Sequence, residues 1–296
     1  MRLANTISTL MFTRAIVRPP APNFAEGLTT ADLGAPDYQR ALDQHEAYCA
    51  ALERCGLTLI RLAADPRYSD STFVEDTAIL IGAPASAKTH PLTQVVLTKP
   101  QAVLTSPGAP SRAGEVAGIA DVLADFYPSI FSIKPPGTLD GGDVCEAGNH
   151  FFIGVSERTN EAGAQELAEL LAPFGHTTSF MDIRGLSGME SVPGAVATGF
   201  HLLHLKSGLS CLGNNRLVVI DALADRDEFS KYDLVRVSDD EVYAANCVRV
   251  RDHVLVAAGY PVLEGQLREL GYQTIALEMS EFQKMDGGLS CLSLRF

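Results

Sequence analysis

The chain has 296 residues, of which 46% are hydrophobic and 20% are charged. This proportion of apolar side chains is enough for a large buried core and excludes disordered, collagen-like and coiled-coil classes. The formal net charge is −13 and the sequence has no basic run. That balance argues against a protein that binds nucleic acid or an anionic membrane, and it weakly favours a cationic small-molecule ligand.

Cysteine usage and segment composition indicate a cytoplasmic protein. The six cysteines form no C-x-x-C pair and none has a histidine at zinc-finger spacing, so we expect reduced thiols and no metal. Residues 1–17 lack the apolar stretch and cleavage site of a signal peptide. No stretch approaches about 18 consecutive apolar residues, so no membrane span is predicted. No linker-like segment divides the chain, and we expect a single domain over residues 1–296.

Short apolar strands and amphipathic helices follow one another along the chain, which predicts an α/β protein. The strands are rich in β-branched residues and are bounded by Gly, Asn or Asp. In chain order, the predicted elements are strand Thr77–Ile81, helix Glu115–Phe126, strand Phe151–Val155, helix Asn160–Leu171, strands Leu217–Ile220 and Val254–Ala257, and helix Leu263–Leu270.

The strands also belong to a loose repeat. The segments FVEDTAILIG, GGDVCEAGNHFFIG, LSCLGNNRLVVI and NCVRVRDHVLVA share a small or polar opening, a turn and an apolar strand. A last copy, GLSCLSLRF, is cut off by the C-terminus, and the N-terminal strand FTRAIVR can complete it. The spacing is irregular, but the pattern suits radially arranged units that are closed by pairing the two chain ends.

Familiar catalytic patterns, including nucleotide-binding loops, H-E-x-x-H and G-x-S-x-G, do not occur in the sequence. Cys291, in KMDGGLSCLSLRF, reads as a buried thiol in a terminal strand or as a nucleophile, for which Gly287, Gly288 and Ser290 would leave room. His204, in GFHLLHLKSG, is either structural or the proton shuttle that such a nucleophile needs.

Two acidic clusters complete the candidates. TLDGGDV is typical of a tight turn, with the alternative that Asp140 orients the histidine in a Cys–His–carboxylate set. DSTFVED places Asp70, Glu75 and Asp76 just ahead of an apolar strand. Three carboxylates so close together form either a solvated edge or a receptor for a guanidinium or ammonium ion.

Taken together, these clusters resemble the dimethylarginine dimethylaminohydrolase family of the guanidine-modifying (amidinotransferase/deiminase) superfamily. The resemblance extends along almost the whole chain, and several of its peptides are unusual. In the order of the family they are FVED, PGAPSR, LDGGDV, FFIGVSERTN, HLKS, AANC and MDGGLSC. The resemblance implies a five-fold pseudosymmetric α/β propeller of ββαβ units, with the active site in the central channel.

The resemblance also implies the catalytic roles. It makes Cys291 in LSC the covalent nucleophile, His204 in HLKS the general acid and base, and Asp140 in LDGGD the carboxylate partner of the histidine. It further implies that Arg112 in PGAPSR and Arg158 in SERTN hold the α-carboxylate of the substrate, a task that suits planar, permanently charged groups.

The remaining substrate contacts follow in the same way. The resemblance implies that Asp70 binds the α-amino group, that Glu75 and Asp76 recognise the guanidinium, and that the backbone around Met285 and an N-terminal lid residue, which we predict to be Leu28, complete the site. Neighbouring residues on a strand point to opposite faces, so we expect Asp76 to be the direct guanidinium contact.

Two departures from the superfamily bear on specificity. Related deiminases have H-x-D at the histidine, whereas this chain has Lys206 two residues after His204, which favours the dimethylarginine branch. The segment 182–200 is longer than expected, and we predict that it shapes the pocket mouth or holds an oligomer contact.

The expected reaction is hydrolysis of Nω-methylated arginines to L-citrulline through a covalent thiouronium, without a metal or organic cofactor. The expected partner is a small-molecule substrate, and the expected state is a monomer or homodimer. Two alternatives remain open: a deiminase of another guanidino compound such as arginine or agmatine, and a non-catalytic protein that sequesters arginine derivatives. The complete Cys–His–Asp set argues against a binding protein, which would need none of it.

Overall fold

The computed structural model describes residues 12–82, 100–188 and 200–296. Short strands dominate it, and the helices are short apart from the first. The strands are β1 Arg14–Val17, β2 Thr58–Arg61, β3 Ala78–Ile81, β4 Gln101–Leu104, β5 Ile130–Ser132, β6 Val144–Ala147, β7 His150–Val155, β8 Thr177–Asp182, β9 Ser187–Gly188, β10 Phe200–His201, β11 Leu209–Gly213, β12 Arg216–Ile220, β13 Asp233–Val237, β14 Val248–Val250, β15 His253–Ala257, β16 Gln273–Leu277 and β17 Leu294–Arg295. The helices are α1 Tyr38–Arg54, α2 Glu115–Leu123, α3 Glu161–Leu171, α4 Asp221–Ala224, α5 Pro261–Glu269 and α6 Ser280–Gln283.

Five three-stranded sheets share one plan, in which the first strand is antiparallel to the second and the second is parallel to the third. The sheets are β3-β4-β5, β6-β7-β8, β11-β12-β13, β14-β15-β16 and β17-β1-β2. The last sheet joins the two ends of the chain, because Ala15 pairs with Arg295 and Ile16 with Leu294. The predicted five-fold α/β propeller, with its fifth unit completed by the N-terminal strand, is therefore confirmed.

The helices pack their apolar faces on the sheets, as their patterns predict. In α3 the buried positions Ala164, Leu167 and Leu171 share one face, and burying each leucine contributes about 1.5–3 kcal/mol. The Asn160 side chain accepts the backbone N–H of Gly163 at 2.8 Å and so begins the helix one residue after the predicted start. No helix in the described ranges is long and apolar enough to cross a bilayer.

The first strands of the sheets surround a central channel, and β6 contacts β11, β11 contacts β14, and β17 contacts β3. A cavity of about 650 Å³ occupies the channel and is lined by residues of β3, β6, β11, β14 and β17. This arrangement leaves the second and third strands outside, where the helices cover them.

A 3₁₀ turn precedes each first strand, and these five turns lie at one end of the channel. We call them the ring of turns: Val74–Thr77, Gly141–Asp143, Leu205–Ser207, Asp239–Ala245 with the following Asn246, and Ser290–Leu292. Consecutive turns contact one another. Three of these turns, Val74–Thr77, Gly141–Asp143 and Ser290–Leu292, fall in the openings of the repeat segments FVEDTAILIG, GGDVCEAGNHFFIG and GLSCLSLRF. The turn Leu205–Ser207 instead lies before its segment, LSCLGNNRLVVI.

Candidate active site

A small cavity lies between the ring of turns and the N-terminal loop, which comprises residues 19–30. It is lined by Leu28, Asp70, Phe73, Asp76, Arg112, Asp140, Arg158, Leu203, His204, Met285, Asp286, Gly287 and Cys291. All the predicted site residues except Glu75 therefore meet here. The channel cavity is larger, but Cys291, His204 and Asp140 do not line it. The small cavity is therefore the candidate active site.

Cys291 lies in the 3₁₀ turn Ser290–Leu292, so the predicted terminal strand is wrong at this position. The strand begins only at Leu294, after the turn has directed the half-buried thiol into the small cavity. The backbone N–H of Gly288 donates to the sulfur at 3.4 Å. Burial, followed by the charges of Glu75 and Asp76, raises the pKa of the thiol to about 12. The nucleophile candidate is therefore a neutral thiol at pH 7 in the free protein.

The glycines before Cys291 pack closely against side chains of other turns and loops. A Cβ on Gly287 would lie 2.3 Å from the Phe73 ring, and a Cβ on Gly288 would lie 2.5 Å from the Asn246 amide. Their missing side chains make room for neighbouring protein groups, and Gly287 also lines the small cavity.

His204 and Asp140 form a buried pair beside the thiol. His204 Nε2 lies 3.0 Å from Asp140 Oδ2, and the other carboxylate oxygen of Asp140 accepts the Gly108 N–H at 2.8 Å. Burial alone would lower the pKa of the imidazole. The carboxylates of Asp76, Asp143 and Asp140 outweigh it and raise the pKa to about 9, so the ring is protonated at neutral pH.

Asp143 and Gly142 support this pair and were missed by sequence reasoning. Asp143 is buried and accepts hydrogen bonds from Ser156 Oγ, Thr159 Oγ1 and the Leu205 N–H. A Cβ on Gly142 would lie 2.8 Å from His204 Cγ and Nδ1. The peptide LDGGDV therefore needs its second glycine for the close approach of the imidazole. The available signal was the second aspartate of that peptide, which the turn interpretation assigned to local structure.

Arg112 is held by the protein from every side. Its Nη1 lies 2.5 Å from Asp76 Oδ2, and its Nε and Nη2 donate to both carboxylate oxygens of Glu115 at 2.7–3.2 Å. Nη2 also donates to the Phe73 carbonyl at 3.0 Å. A guanidinium has five N–H donors, so one on Nη1 is left for a ligand. Despite burial, Arg112, His204 and the Gly142 N–H hold the pKa of Asp76 at about 2.

Arg158 lines the same cavity, but its guanidinium has different contacts from that of Arg112. It is half-buried, and its guanidinium makes no hydrogen bond or ion pair to any residue in the ranges that the structure describes. Its backbone is pressed against Gly108, where a Cβ would lie 2.1 Å from the Arg158 carbonyl oxygen. No described residue therefore occupies any of the five N–H donors of Arg158, whereas all but one of the Arg112 donors are occupied.

The N-terminal loop closes the cavity and is tied down by two aspartates. The Leu28 N–H donates to both oxygens of Asp70, at 3.1 and 3.2 Å, and the pKa of that carboxyl is raised by burial. Asp286, whose φ of 55° lies in the left-handed region, accepts the Thr30 N–H at 2.5 Å. Leu28 and the buried Met285, both predicted to belong to the substrate site, line this cavity.

Glu75 is not brought to the cavity wall. The strand argument used for Glu75 and Asp76 is wrong because both residues belong to the 3₁₀ turn Val74–Thr77. The Glu75 carboxylate faces the channel instead, where it accepts from Ser290 Oγ at 2.6 Å and pairs with Lys206 Nζ at 2.6 Å. Lys206, which stands where deiminases have a second carboxylate, therefore neutralises Glu75 behind the nucleophile turn.

Oxygen and nitrogen atoms of Asp76, Asp140 and His204 lie within 4.8 Å of one another, close enough for the three side chains to hold a metal ion. No other such group of His, Cys, Asp or Glu side chains occurs among the described residues. Each of these side chains already has a hydrogen-bond partner in the protein. Residues 189–199 of the predicted mouth segment 182–200 lie outside the described residues. Strand β9, just before them, pairs with β10, just after them.

Comparison with curated proteins gives the family. The chain is 38% identical over 287 residues to an N(G),N(G)-dimethylarginine dimethylaminohydrolase of Pseudomonas aeruginosa, covering 97% of this chain and 100% of that protein. It belongs to the dimethylarginine dimethylaminohydrolase family. A second relative of the same name, from Streptomyces coelicolor, is 31% identical and covers 95% of this chain and 96% of its own length. The chain matches no protein-family profile.

Solved structures of the dimethylarginine dimethylaminohydrolase family have the same fold. The Pseudomonas aeruginosa enzyme, solved with citrulline, superimposes with a TM-score of 0.81 at 37% identity, covering 97% of this chain and 100% of that one. The N-terminal domain of a cyanobacterial arginine dihydrolase superimposes with a TM-score of 0.76 at 16% identity, covering 95% and 96% of the two chains. The second likeness concerns the fold alone.

Proposed function

We propose that this protein hydrolyses Nω-methylated arginines, with asymmetric dimethylarginine and water giving L-citrulline and dimethylamine. One observation carries the proposal: Cys291, the His204–Asp140 pair and the charged side chains of Asp70, Asp76, Arg112 and Arg158 line one cavity. Membership of the dimethylarginine dimethylaminohydrolase family and the citrulline-bound relative support the same reaction.

The charges around the cavity fit a substrate with three ionic groups. Arg158 binds the α-carboxylate with its free donors, and the remaining Nη1 donor of Arg112 assists it. Asp70 receives the α-ammonium group, for which it exchanges or shares the Leu28 N–H. Asp76, ionised through its contacts with Arg112 and Gly142, receives the guanidinium.

Formation of the nucleophile depends on the substrate. The carboxylates of Glu75 and Asp76 disfavour a thiolate at Cys291 in the free enzyme. A bound guanidinium cation places a positive charge beside the sulfur and lowers the pKa of the thiol, whose proton then leaves to solvent. His204 does not take this proton because its imidazole is already protonated at neutral pH.

The protonated His204 then acts as the general acid. The thiolate of Cys291 attacks the central guanidinium carbon, and the C–N bond to dimethylamine breaks as the imidazolium transfers its proton to the leaving nitrogen. Asp140 holds Nε2, so Nδ1, which makes no hydrogen bond to a described residue, is the transferring atom. The product of this step is a covalent S-alkylthiouronium and neutral imidazole.

Water completes the cycle at the same two residues. The neutral imidazole accepts a proton from water as the oxygen attacks the thiouronium carbon. Collapse of the tetrahedral adduct breaks the C–S bond, and the proton of its hydroxyl group passes to the departing sulfur. This step releases L-citrulline and restores the neutral thiol of the free enzyme. His204 therefore donates a proton to dimethylamine in the first half of the reaction and accepts one from water in the second half.

The test is citrulline production from asymmetric dimethylarginine, monomethylarginine and arginine, measured for wild type, Cys291→Ser and Cys211→Ser. Cys211 is also half-buried but lines the channel cavity, so it is the matched control. We expect turnover of the methylated substrates that Cys291→Ser abolishes and Cys211→Ser retains. Citrulline from arginine alone would assign the protein to a deiminase activity. Binding of arginine derivatives without product would indicate a sequestering protein.

A further inference from the structure

Side-chain hydrogen bonds join each member of the ring of turns to the next. Every bond crosses from one propeller unit to its neighbour, so none of them belongs to a single repeat. The links are Gly142 N–H to Asp76 Oδ1 (2.8 Å), Leu205 N–H to Asp143 Oδ1 (3.0 Å), Asn246 Nδ2 to the Lys206 carbonyl (3.0 Å), Ser290 N–H to Asn246 Oδ1 (2.8 Å) and Ser290 Oγ to Glu75 Oε2 (2.6 Å).

Asn246 makes two of these links and is the bridge between the two catalytic turns. Its amide nitrogen reaches the turn that follows His204, and its amide oxygen reaches the residue before Cys291. The nitrogen also donates to Ser290 Oγ at 3.1 Å. A carbonyl only accepts and a backbone N–H only donates, so the amide can face its two neighbours in one orientation only. The side chain is buried, which makes each unpaired group costly.

Gly288 fits against this bridge. A Cβ at Gly288 would lie 2.5–2.8 Å from the Cγ, Oδ1 and Nδ2 atoms of Asn246, and these are its three nearest neighbours. Gly288 also donates its backbone N–H to the sulfur of Cys291. The Asn246 amide therefore packs directly on the loop that cradles the nucleophile.

We propose that Asn246 is a positioning residue that sets the location of the Cys291 thiol relative to His204. The inference rests on the proposed roles of these two residues. Asn246 does not line the small cavity and so has no contact with the substrate. Its effect is on geometry: a displacement of about 1 Å between reacting groups can lower the rate about 100-fold.

Three variants test the inference with two assays, steady-state turnover and alkylation of Cys291 by iodoacetamide. For Asn246→Ala we expect kcat to fall about 100-fold while KM stays near that of wild type, because Arg158 and Asp70 are untouched. Asn246→Asp keeps the acceptor for Ser290 but loses the donor to Lys206, and its charge should move the alkylation profile to higher pH. Asn149→Ala, which loses one amide-to-carbonyl bond outside the ring, should behave as wild type.

A double-mutant comparison separates positioning from general destabilisation. Gly288→Ala alone should reproduce the loss of kcat, because its Cβ displaces the amide. In the Asn246→Ala background the same change should cost nothing further, because the three clashing atoms are gone. Unchanged kcat in folded Asn246→Ala, or equal losses from Gly288→Ala in both backgrounds, would overturn the inference. If Asn246→Ala does not fold, the turnover of Asn246→Asp and the pH dependence of its Cys291 alkylation test the inference instead. An inactive wild type would refute the proposed function instead.

Discussion

Arg112 and Arg158 line one cavity, but only Arg112 is bound by the protein, and alanine substitutions separate the two situations. In Arg112→Ala, the carboxylates of Asp76 and Glu115 lose their cationic partner, although each is only 2% exposed. In Arg158→Ala, no hydrogen bond or ion pair among the described residues is lost. We therefore expect Arg112→Ala to destabilise the fold and Arg158→Ala to weaken substrate binding without destabilising it.

The expected magnitudes follow from these contacts. Removing one partner of a buried ion pair costs about 3–5 kcal/mol, so Arg112→Ala should lower the free energy of unfolding by at least that amount. Arg158→Ala should change it by less than about 0.5 kcal/mol, as at an ordinary surface position. A charge-assisted hydrogen bond contributes about 1.5–3 kcal/mol, and loss of that contact to the substrate carboxylate should raise KM roughly 10- to 100-fold.

Urea unfolding and initial-rate measurements on the two variants test this reasoning. The Arg112→Ala midpoint should fall well below that of wild type, and the Arg158→Ala midpoint should coincide with it. Arg158→Lys is the matched control, since it keeps the charge but loses the planar fork and should recover only part of the affinity. Equal destabilisation by the two alanine variants would refute the assignment, as would an unchanged KM in Arg158→Ala.

Three further outcomes are expected. Gly142→Ala should lower kcat about 100-fold, because its Cβ would lie 2.8 Å from the His204 ring, and kinetics of the purified variant measure this. The pKa of His204 is raised from 6.5 to about 9 on folding, so its contribution to stability is complete below pH 6.5 and is lost as the pH rises through 9. The urea midpoints of wild type and His204→Gln should therefore converge as the pH rises through that range. Glu75→Gln removes a negative charge that raises the pKa of the Cys291 thiol, and the substitution also leaves the Lys206 ammonium unpaired. Alkylation of Cys291 at pH 7.5 should therefore become faster. A slower reaction would contradict the assigned cause of the raised pKa.

The apolar parts of the fold could be predicted because their signals are local. Strand runs, the amphipathic face of α3 and its Asn160 cap depend on residues a few positions apart, and the structure reproduces them within a few residues. Pairing of the N-terminal strand with the C-terminal one is a long-range contact. It could still be predicted, because the last repeat segment lacks a strand that the N-terminal segment can supply. The strand predicted at Cys291 failed because a short 3₁₀ turn has no periodicity that could distinguish it from the start of a strand.

Several determinants of the site could not be found in this way. Glu115 fixes Arg112, Asp143 fixes the turn after His204, and Gly142 admits the imidazole, yet each is explained only by a partner in another part of the chain. Lys206 and Glu75 give the clearest example, since sequence reasoning noted the departure at Lys206 but could not know that it neutralises Glu75. Motif spacing orders the catalytic residues along the chain but does not determine which side of the channel each of them faces.

The ring of turns gives the physical reason for this limit. An acidic or amide side chain at the opening of a repeat has no partner within its own repeat, so local reasoning assigns it to a solvated edge. Closing five units around a channel removes that edge and turns the same side chains toward the next unit, where backbone N–H groups at 2.8–3.0 Å satisfy them. The irregular spacing made the repeat weak evidence, yet polar side chains near its openings link neighbouring units of the closed propeller. The nucleophile turn is thereby held by Asn246 on one side and Glu75 on the other.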